Sequence, residues 1–228
     1  MRQGRALRED AVGPAASGKW LGIALTSLVV PAALLVAYAF EWRLGRLGRL
    51  DLFEAFGLNP LLIRQGRWEL LISYVVLHGS VVAVLVNAGI VSVGGIPLIR
   101  ALGGAVRGLV GFLIYFEAIG ILAGLAFCLL HWRDDVTIVG ASAAASGILG
   151  AAARLSWGRE KPHLLGFFSP QVLIVTVLFA VYHVISLLMA GRSSNSMAWE
   201  SHLAGYALGL GLISPWLHLF HRQYFTTN

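Results

Sequence analysis

The chain alternates from residue 20 onwards between long apolar stretches and shorter polar segments. Six apolar stretches predict membrane helices, at about residues 20–40, 80–102, 109–130, 142–155, 170–190 and 200–220. A helix needs about 20 apolar residues to cross the hydrocarbon core of a bilayer, and only the fourth stretch is clearly short of that length. The pattern predicts an all-α integral membrane protein built as a bundle of six transmembrane helices.

A long connector, residues 41–79, separates the first two predicted membrane helices. It mixes charged residues with apolar pieces at 52–56 and 70–77. Such a mixture is typical of a loop that lies partly in the membrane interface and contains short amphipathic helices. The predicted organisation is a disordered cytoplasmic tail, a single membrane domain and a short cytoplasmic tail, over residues 1–19, 20–221 and 222–228.

Composition supports a lipid environment and excludes nucleic acid as a partner. A mean hydropathy of +0.77 with 12% charged residues is too apolar for a soluble domain of this length. The net charge of +6 is spread over the loops and forms no basic stripe interleaved with aromatic residues. Lysine and arginine are slightly more numerous on the side of the membrane where both ends of the chain are predicted, and this bias predicts cytoplasmic termini. With no organelle-type presequence, the expected location is a prokaryotic cytoplasmic membrane.

The stretch 138–150 consists of small, mostly apolar residues and carries the first candidate for chemistry. Gly140 permits a tight turn, so Ser142 is predicted at the N-terminus of the fourth membrane helix. The free N–H groups of a helix N-terminus can stabilise an oxyanion next to this hydroxyl. The alternative is a serine that only bonds to its own helix backbone.

A histidine near the start of the last helix is the second candidate. His202 is followed by Gly205 and Gly209 at one-turn spacing, and the fourth helix offers Gly147 among small residues at similar spacing. Faces of small residues let two membrane helices approach closely. This packing would bring Ser142 and His202 together as a nucleophile and its general base. The alternative is a hydrogen-bonded histidine at a helix end, without chemistry.

The remaining polar residues near or within the predicted membrane helices have less certain roles. His78 can help to cap the second helix, whereas Asn87 lies deeper and can either donate to an oxyanion or bond to a neighbouring helix. Glu117 and His183 lie in the middle of the third and fifth helices, and no partner can be assigned to them. The pair Asp134–Asp135 precedes Ser142 and is interpreted as solvated charge; the alternative is a third member of a catalytic triad.

Other membrane chemistries lack their motifs. There is no His-Glu-x-x-His sequence for a zinc protease, no aspartate within a predicted membrane helix and no phosphate-binding glycine loop with lysine. The single cysteine, Cys128, excludes an internal disulfide framework. No metal and no cofactor is predicted.

Taken together and in this order, the motifs resemble those of the rhomboid family of intramembrane serine proteases. They are 78–80 with Asn87, 140–142 with Gly147 and Gly150, and 202–205 with Gly209. The resemblance implies a serine endopeptidase that cleaves transmembrane segments of membrane proteins, with substrate access near the fifth helix. It implies a catalytic Ser142–His202 dyad, an oxyanion hole from Asn87 and the Ser142 backbone N–H, and supporting roles for His78, Gly140, Gly147, Gly205 and Gly209.

The chain departs from the family pattern at several positions, which keeps other functions open. Many members have a second histidine in the oxyanion hole, where this chain has Ala83. Many also have an aromatic residue that packs on the catalytic histidine, where this chain has Ser146. Three further positions also differ from the family pattern: Glu69, Ala143 and Ile99. One alternative is therefore an inactive relative that binds or escorts membrane proteins. Another is a small transporter or channel, although this would require paired charges within the membrane or repeated halves.

Overall fold

The computed structural model describes residues 14–157, 162–190 and 198–220. Within these ranges the chain folds into ten α-helices. In chain order they are α1 (Pro14–Ser27), α2 (Val29–Arg43), α3 (Gly45–Phe56), α4 (Pro60–Arg64), α5 (Leu70–Ser73), α6 (Val81–Ala101), α7 (Ala105–Leu130), α8 (Ser142–Ala153), α9 (Pro170–Ala190) and α10 (Trp199–Phe220).

Among the described residues, five helical segments are long and apolar enough to cross a membrane. They are Trp20–Arg43, formed by α1 and α2, and then Val81–Ala101, Ala105–Leu130, Pro170–Leu188 and Trp199–Phe220. The predicted fold class is confirmed: the described part is all-helical, and the chain is an integral multi-pass membrane protein. Six spans were predicted, and the described residues form five long helices and the shorter apolar helix α8, so the predicted count is close.

The short α8 lies at the centre of the bundle. Its 12 residues extend only about 18 Å at the usual helical rise, less than the hydrocarbon thickness of about 30 Å. It packs against α6, α7 and α10, and nearly all its side chains are buried. Because protein rather than lipid surrounds α8, a short helix suffices here and its N-terminus ends inside the protein.

Glycines set the close approach of α10 to α8. A Cβ atom added to Gly205 would overlap the backbone carbonyl of Ala143, and one added to Gly209 would overlap that of Gly147. The two contacts lie about one turn apart on each helix. The small-residue faces predicted for these helices therefore do meet, and any side chain at either glycine would push the helices apart.

The connector between α2 and α6 contains the short helices that the sequence predicts. Asn59 caps α4 by accepting hydrogen bonds from the N–H groups of Leu61 and Leu62. Its Nδ2 also donates to Asp135 across 2.8 Å, and Leu58 pairs with Ile138 through two backbone hydrogen bonds of 2.9 Å. The connector is thus joined to the loop that precedes Ser142.

The predicted tails require one correction. Helix α1 begins at Pro14, so residues 14–19, which the sequence analysis assigned to a disordered tail, are helical and continue into the first membrane helix. Residues 1–13 and the predicted tail 222–228 lie outside the described residues. The predicted division into tails and a single membrane domain stays a prediction.

Candidate active site

Ser142 is the first residue of α8 and follows a tight turn. Gly140 has φ of +129°, a conformation that side-chain-bearing residues rarely adopt, and its N–H donates to the carbonyl of Tyr74 across 2.9 Å. Ser142 is half-buried. The first N–H groups of a helix have no acceptor within the helix, so the hydroxyl lies next to backbone donors that can bind an anion.

His202 faces this hydroxyl from the first turn of α10. Its Nε2 lies 2.7 Å from the Oγ of Ser142, and only 7% of its surface is exposed. The contact depends on the close packing of α8 and α10 at Gly205 and Gly209. The structure thus brings together the two residues that the sequence singled out, and the pair has the geometry of a nucleophile and its general base. Their catalytic roles stay a prediction.

A second buried histidine lies behind His202. His183 on α9 places its Nε2 3.1 Å from the Nδ1 of His202, and its own Nδ1 lies 2.9 Å from the carbonyl oxygen of Phe179. The sequence pattern assigned no partner to His183. The available signal was its position in the middle of an apolar helix, where an ionisable residue is costly and usually has a specific role.

Aromatic rings hold His183 in place. The ring of Phe179 lies 4.2 Å from that of His183, between centroids, and stacks on Tyr206 of α10 at 4.3 Å. Tyr206 in turn shares a hydrogen bond of 2.8 Å with the hydroxyl of Thr176. The ring of His183 meets that of His202 edge-on at 5.3 Å. Side chains of α9 therefore pack against the candidate general base.

His78 and Asn87 form a second polar pair close to Ser142. The amide of Asn87 donates to the Nε2 of His78 across 3.2 Å, because the Nδ1 of His78 donates to the carbonyl of Val76. Burial lowers the pKa of His78 below its ordinary value, which keeps the ring neutral and its Nε2 free to accept. One N–H of the Asn87 amide remains for a further acceptor.

These residues line one cavity of about 610 Å³. Ser142, His202, Asn87 and His78 all contribute to its wall, together with Tyr182 of α9. The cavity also reaches the loop 136–140 that precedes α8. Its wall carries the hydroxyl of Ser142, the imidazole of His202 and the amide of Asn87.

The departures from the rhomboid pattern have different structural settings. Ala83 lines the cavity, and its side chain has no hydrogen-bond donor. Ser146 is buried and is not among the residues that line the cavity. Arg67 donates to Glu69, which lowers the pKa of this exposed carboxyl below its ordinary value. Ile99 is fully buried, and Ala143 packs under Gly205.

The other acidic candidates lie away from the cavity wall. Asp134 contacts the Nδ1 of His131 at 2.8 Å, and Asp135 accepts from Asn59. Among the described residues, Oε1 of Glu117 has no hydrogen-bond partner although it is buried. No group of three or more histidine, cysteine, aspartate or glutamate side chains that could hold a metal ion occurs in the described ranges.

Comparison with known proteins gives the family. A model of the Rhomboid domain matches residues 65–218, a range that contains Asn87, Ser142, His183 and His202 and covers more than half of the chain. A search among curated proteins finds no match. The matched range begins within the connector and extends almost to the end of α10. The chain belongs to the rhomboid family.

Proposed function

We propose that the protein is an intramembrane serine endopeptidase that uses Ser142 as its nucleophile and His202 as its general base. The observation that carries this proposal is the 2.7 Å contact between the Oγ of Ser142 and the Nε2 of His202. A serine hydroxyl is a weak nucleophile until an adjacent base takes its proton. A neutral imidazole within hydrogen-bond distance, on the wall of a cavity, meets that requirement.

The reaction follows from this geometry in two stages. In the first, the Oγ of Ser142 attacks the peptide carbonyl carbon while its proton passes to the Nε2 of His202. The tetrahedral intermediate collapses, the C–N bond breaks, and His202 gives the proton to the leaving amine. In the second, water attacks the acyl ester, and the same proton transfers release the carboxyl product and restore the hydroxyl.

Asn87 and the N-terminus of α8 would stabilise the oxyanion of both intermediates. The backbone N–H of Ser142 begins the helix, and Asn87 and Ser142 line the same cavity. Because His78 accepts one N–H of the Asn87 amide, the amide is held in a fixed orientation. Fixed donors in a site that excludes bulk water stabilise developing charge without reorganisation.

The substrates would be transmembrane segments of other membrane proteins. A peptide bond within a regular helix is shielded by the helical hydrogen bonds, so the substrate must unwind locally before it reaches Ser142. The cavity can receive such an extended segment, and its polar residues admit the water that hydrolysis requires. The lipid bilayer is then the second partner of the protein.

One observation favours the alternative of an inactive rhomboid-like binding protein. Ala83 occupies a place on the cavity wall where many relatives have a histidine donor, and loss of one oxyanion donor costs about a hundred- to a thousandfold in rate. A protein weakened in this way could still bind membrane helices in the same cavity. The retained contact between Ser142 and His202 supports the protease.

Cleavage in proteoliposomes separates these two functions. We expect the purified protein to cleave a single-span reporter whose helix contains glycine and proline near one membrane boundary. Ser142→Ala and His202→Ala should reduce cleavage to background, whereas Ser146→Ala, a change outside the cavity wall, should leave it intact. An uncleaved reporter, under conditions in which an active rhomboid protease cleaves it, would favour the binding protein.

A further inference from the structure

Four groups form one continuous hydrogen-bonded chain that begins at Ser142. The hydroxyl contacts the Nε2 of His202 at 2.7 Å, the Nδ1 of His202 contacts the Nε2 of His183 at 3.1 Å, and the Nδ1 of His183 contacts the carbonyl oxygen of Phe179 at 2.9 Å. This series of hydrogen bonds therefore runs from α8 through α10 to α9.

Only one arrangement of protons satisfies every contact while both rings are neutral. The carbonyl of Phe179 can only accept, so the Nδ1 of His183 must carry that ring's proton. A neutral imidazole has one donor and one acceptor nitrogen, so the Nε2 of His183 must accept from the Nδ1–H of His202. The Nε2 of His202 is then unprotonated and faces the hydroxyl of Ser142, as a general base requires.

The surroundings of His183 leave its ring little freedom to turn. The side chain is 5% exposed and lies between the ring of Phe179 at 4.2 Å and that of Tyr182, which meets it edge-on at 5.0 Å. A rotated ring would lose both the bond to Phe179 and the bond to His202. Burial makes such losses costly, because no water replaces the missing partners.

We propose that His183 is a positioning residue that fixes the tautomer and the orientation of His202, so that the working unit is Ser142, His202 and His183. This inference rests on the proposed protease function and deepens it. In serine proteases with a Ser-His-Asp triad, a buried carboxylate holds the histidine in the correct tautomer. Here a neutral imidazole from a neighbouring membrane helix has that place.

The same contact packs a ring against His202 although residue 146, Ser146, is not aromatic. The rhomboid pattern places an aromatic residue one turn after the serine on α8, whereas this chain packs an imidazole from α9 edge-on against His202, with centroids 5.3 Å apart. In this chain the ring that packs on the proposed base therefore comes from α9 and not from α8. The orientation of His202 therefore depends on the position of α9, most of whose surface is exposed.

The first test compares two substitutions that separate shape from hydrogen bonding. His183→Phe keeps a ring of similar size but cannot accept from His202, whereas the amide oxygen of His183→Gln can. The matched control is Ser186→Ala, one turn further along α9, where the hydroxyl donates to the carbonyl of Tyr182. Thermal unfolding in detergent establishes that each variant is folded before kinetics are measured.

We expect His183→Phe to lower kcat about ten- to a hundredfold with little change in KM, because the lost bond is strongest when His202 is protonated in the transition state. His183→Gln should recover a large part of this loss, and Ser186→Ala should match wild type. A His183→Phe variant with wild-type kcat would overturn the inference. So would a folded His183→Gln variant as slow as His183→Phe.

The second measurement reads the tautomer directly and does not need activity. The protein is labelled with ¹⁵N-histidine for NMR, and the signal of His202 is assigned by its absence in His202→Gln. We expect the Nδ1 of His202 to carry the proton in wild type. In His183→Phe we expect this preference for one tautomer to be lost. An unchanged tautomer in His183→Phe would overturn the inference even if the protein is an active protease. A wild-type protein that keeps this tautomer but cleaves nothing would instead overturn the proposed function.

Discussion

The proposed reactivity of Ser142 depends on features that extend only a few residues along the chain. Gly140 adopts a positive φ, so the backbone can turn immediately before α8 and expose the hydroxyl at the helix start. A serine one turn deeper, such as Ser146, belongs to the same small-residue helix but is buried away from the cavity. Ser142 therefore reaches the cavity and Ser146 does not, because only Ser142 lies at the N-terminus of α8.

Asn87 is the single residue whose substitution tests the proposed oxyanion stabilisation most sharply. Asn87→Ala removes the amide donor that His78 orients, and we expect kcat to fall about a hundred- to a thousandfold while the protein stays folded. The reduction should be large because Ala83 offers no second side-chain donor nearby. Steady-state cleavage of the membrane reporter measures it.

A matched asparagine distinguishes chemistry from folding. Asn59 caps α4 and bonds to Asp135, so Asn59→Ala should lower the free energy of unfolding by about 1 kcal/mol and leave the rate of the folded protein nearly unchanged. If Asn87→Ala instead cleaved at the wild-type rate, the oxyanion hole would have to consist of backbone groups alone.

At the scale of elements, the glycines of α10 decide whether the two catalytic candidates can meet. A methyl group at Gly209 would overlap the carbonyl of Gly147, which forces α10 away from α8. We expect Gly209→Ala to lower stability by about 1–3 kcal/mol, the usual cost of overpacking, and to reduce cleavage more than tenfold because the contact between Ser142 and His202 lengthens.

Gly211 is the control on the same helix, because a Cβ atom there would meet nothing within 4 Å. Gly211→Ala should retain full activity and a melting temperature at least equal to that of wild type, since alanine favours a helix over glycine by up to about 1 kcal/mol. Equal behaviour of the two variants, in melting temperature and in cleavage, would show that close approach at Gly209 is not what positions His202.

The sequence predicted this helix pair well because small residues recur at a helical spacing. The bounds of α8 and α10 and the meeting of Ser142 with His202 followed from Gly205, Gly209 and the short apolar stretch. The proposed role of His183 could not be predicted from the sequence. A periodic pattern shows where a residue lies along its own helix, but not which side chain of a neighbouring helix contacts it. Helix α9 is apolar over nearly its whole length, so its orientation depends on packing.

Residues 14–19 show a second limit of the sequence pattern. Their polar and small side chains indicated a tail, yet α1 begins at Pro14. Proline is well suited to the first turn of a helix, because its missing N–H would have no acceptor there. Pro14 was therefore a signal for the start of a helix. The polar composition of the surrounding residues led instead to the prediction of a disordered tail.

In the molecule as a whole, the central position of α8 places the cavity with Ser142 inside the protein, where the proposed hydrolysis could take place. The long helices around α8 face the lipid, whereas α8 is shorter than the bilayer is thick and begins at a cavity rather than in hydrocarbon. The connector is joined to the loop before Ser142 through Asn59 and Leu58. The orientation of the molecule, with cytoplasmic termini, stays a prediction.

Ser142 is, in the proposed mechanism, a nucleophile activated by His202, and covalent labelling tests this claim without knowledge of a substrate. A fluorescent fluorophosphonate is added to the purified protein in detergent, together with Ser142→Ala, His202→Ala and Ser146→Ala. We predict label on wild type and on Ser146→Ala, and none on the other two. Unlabelled wild type, beside an active rhomboid protease that labels under the same conditions, would contradict the claim, as would label that persists on Ser142→Ala.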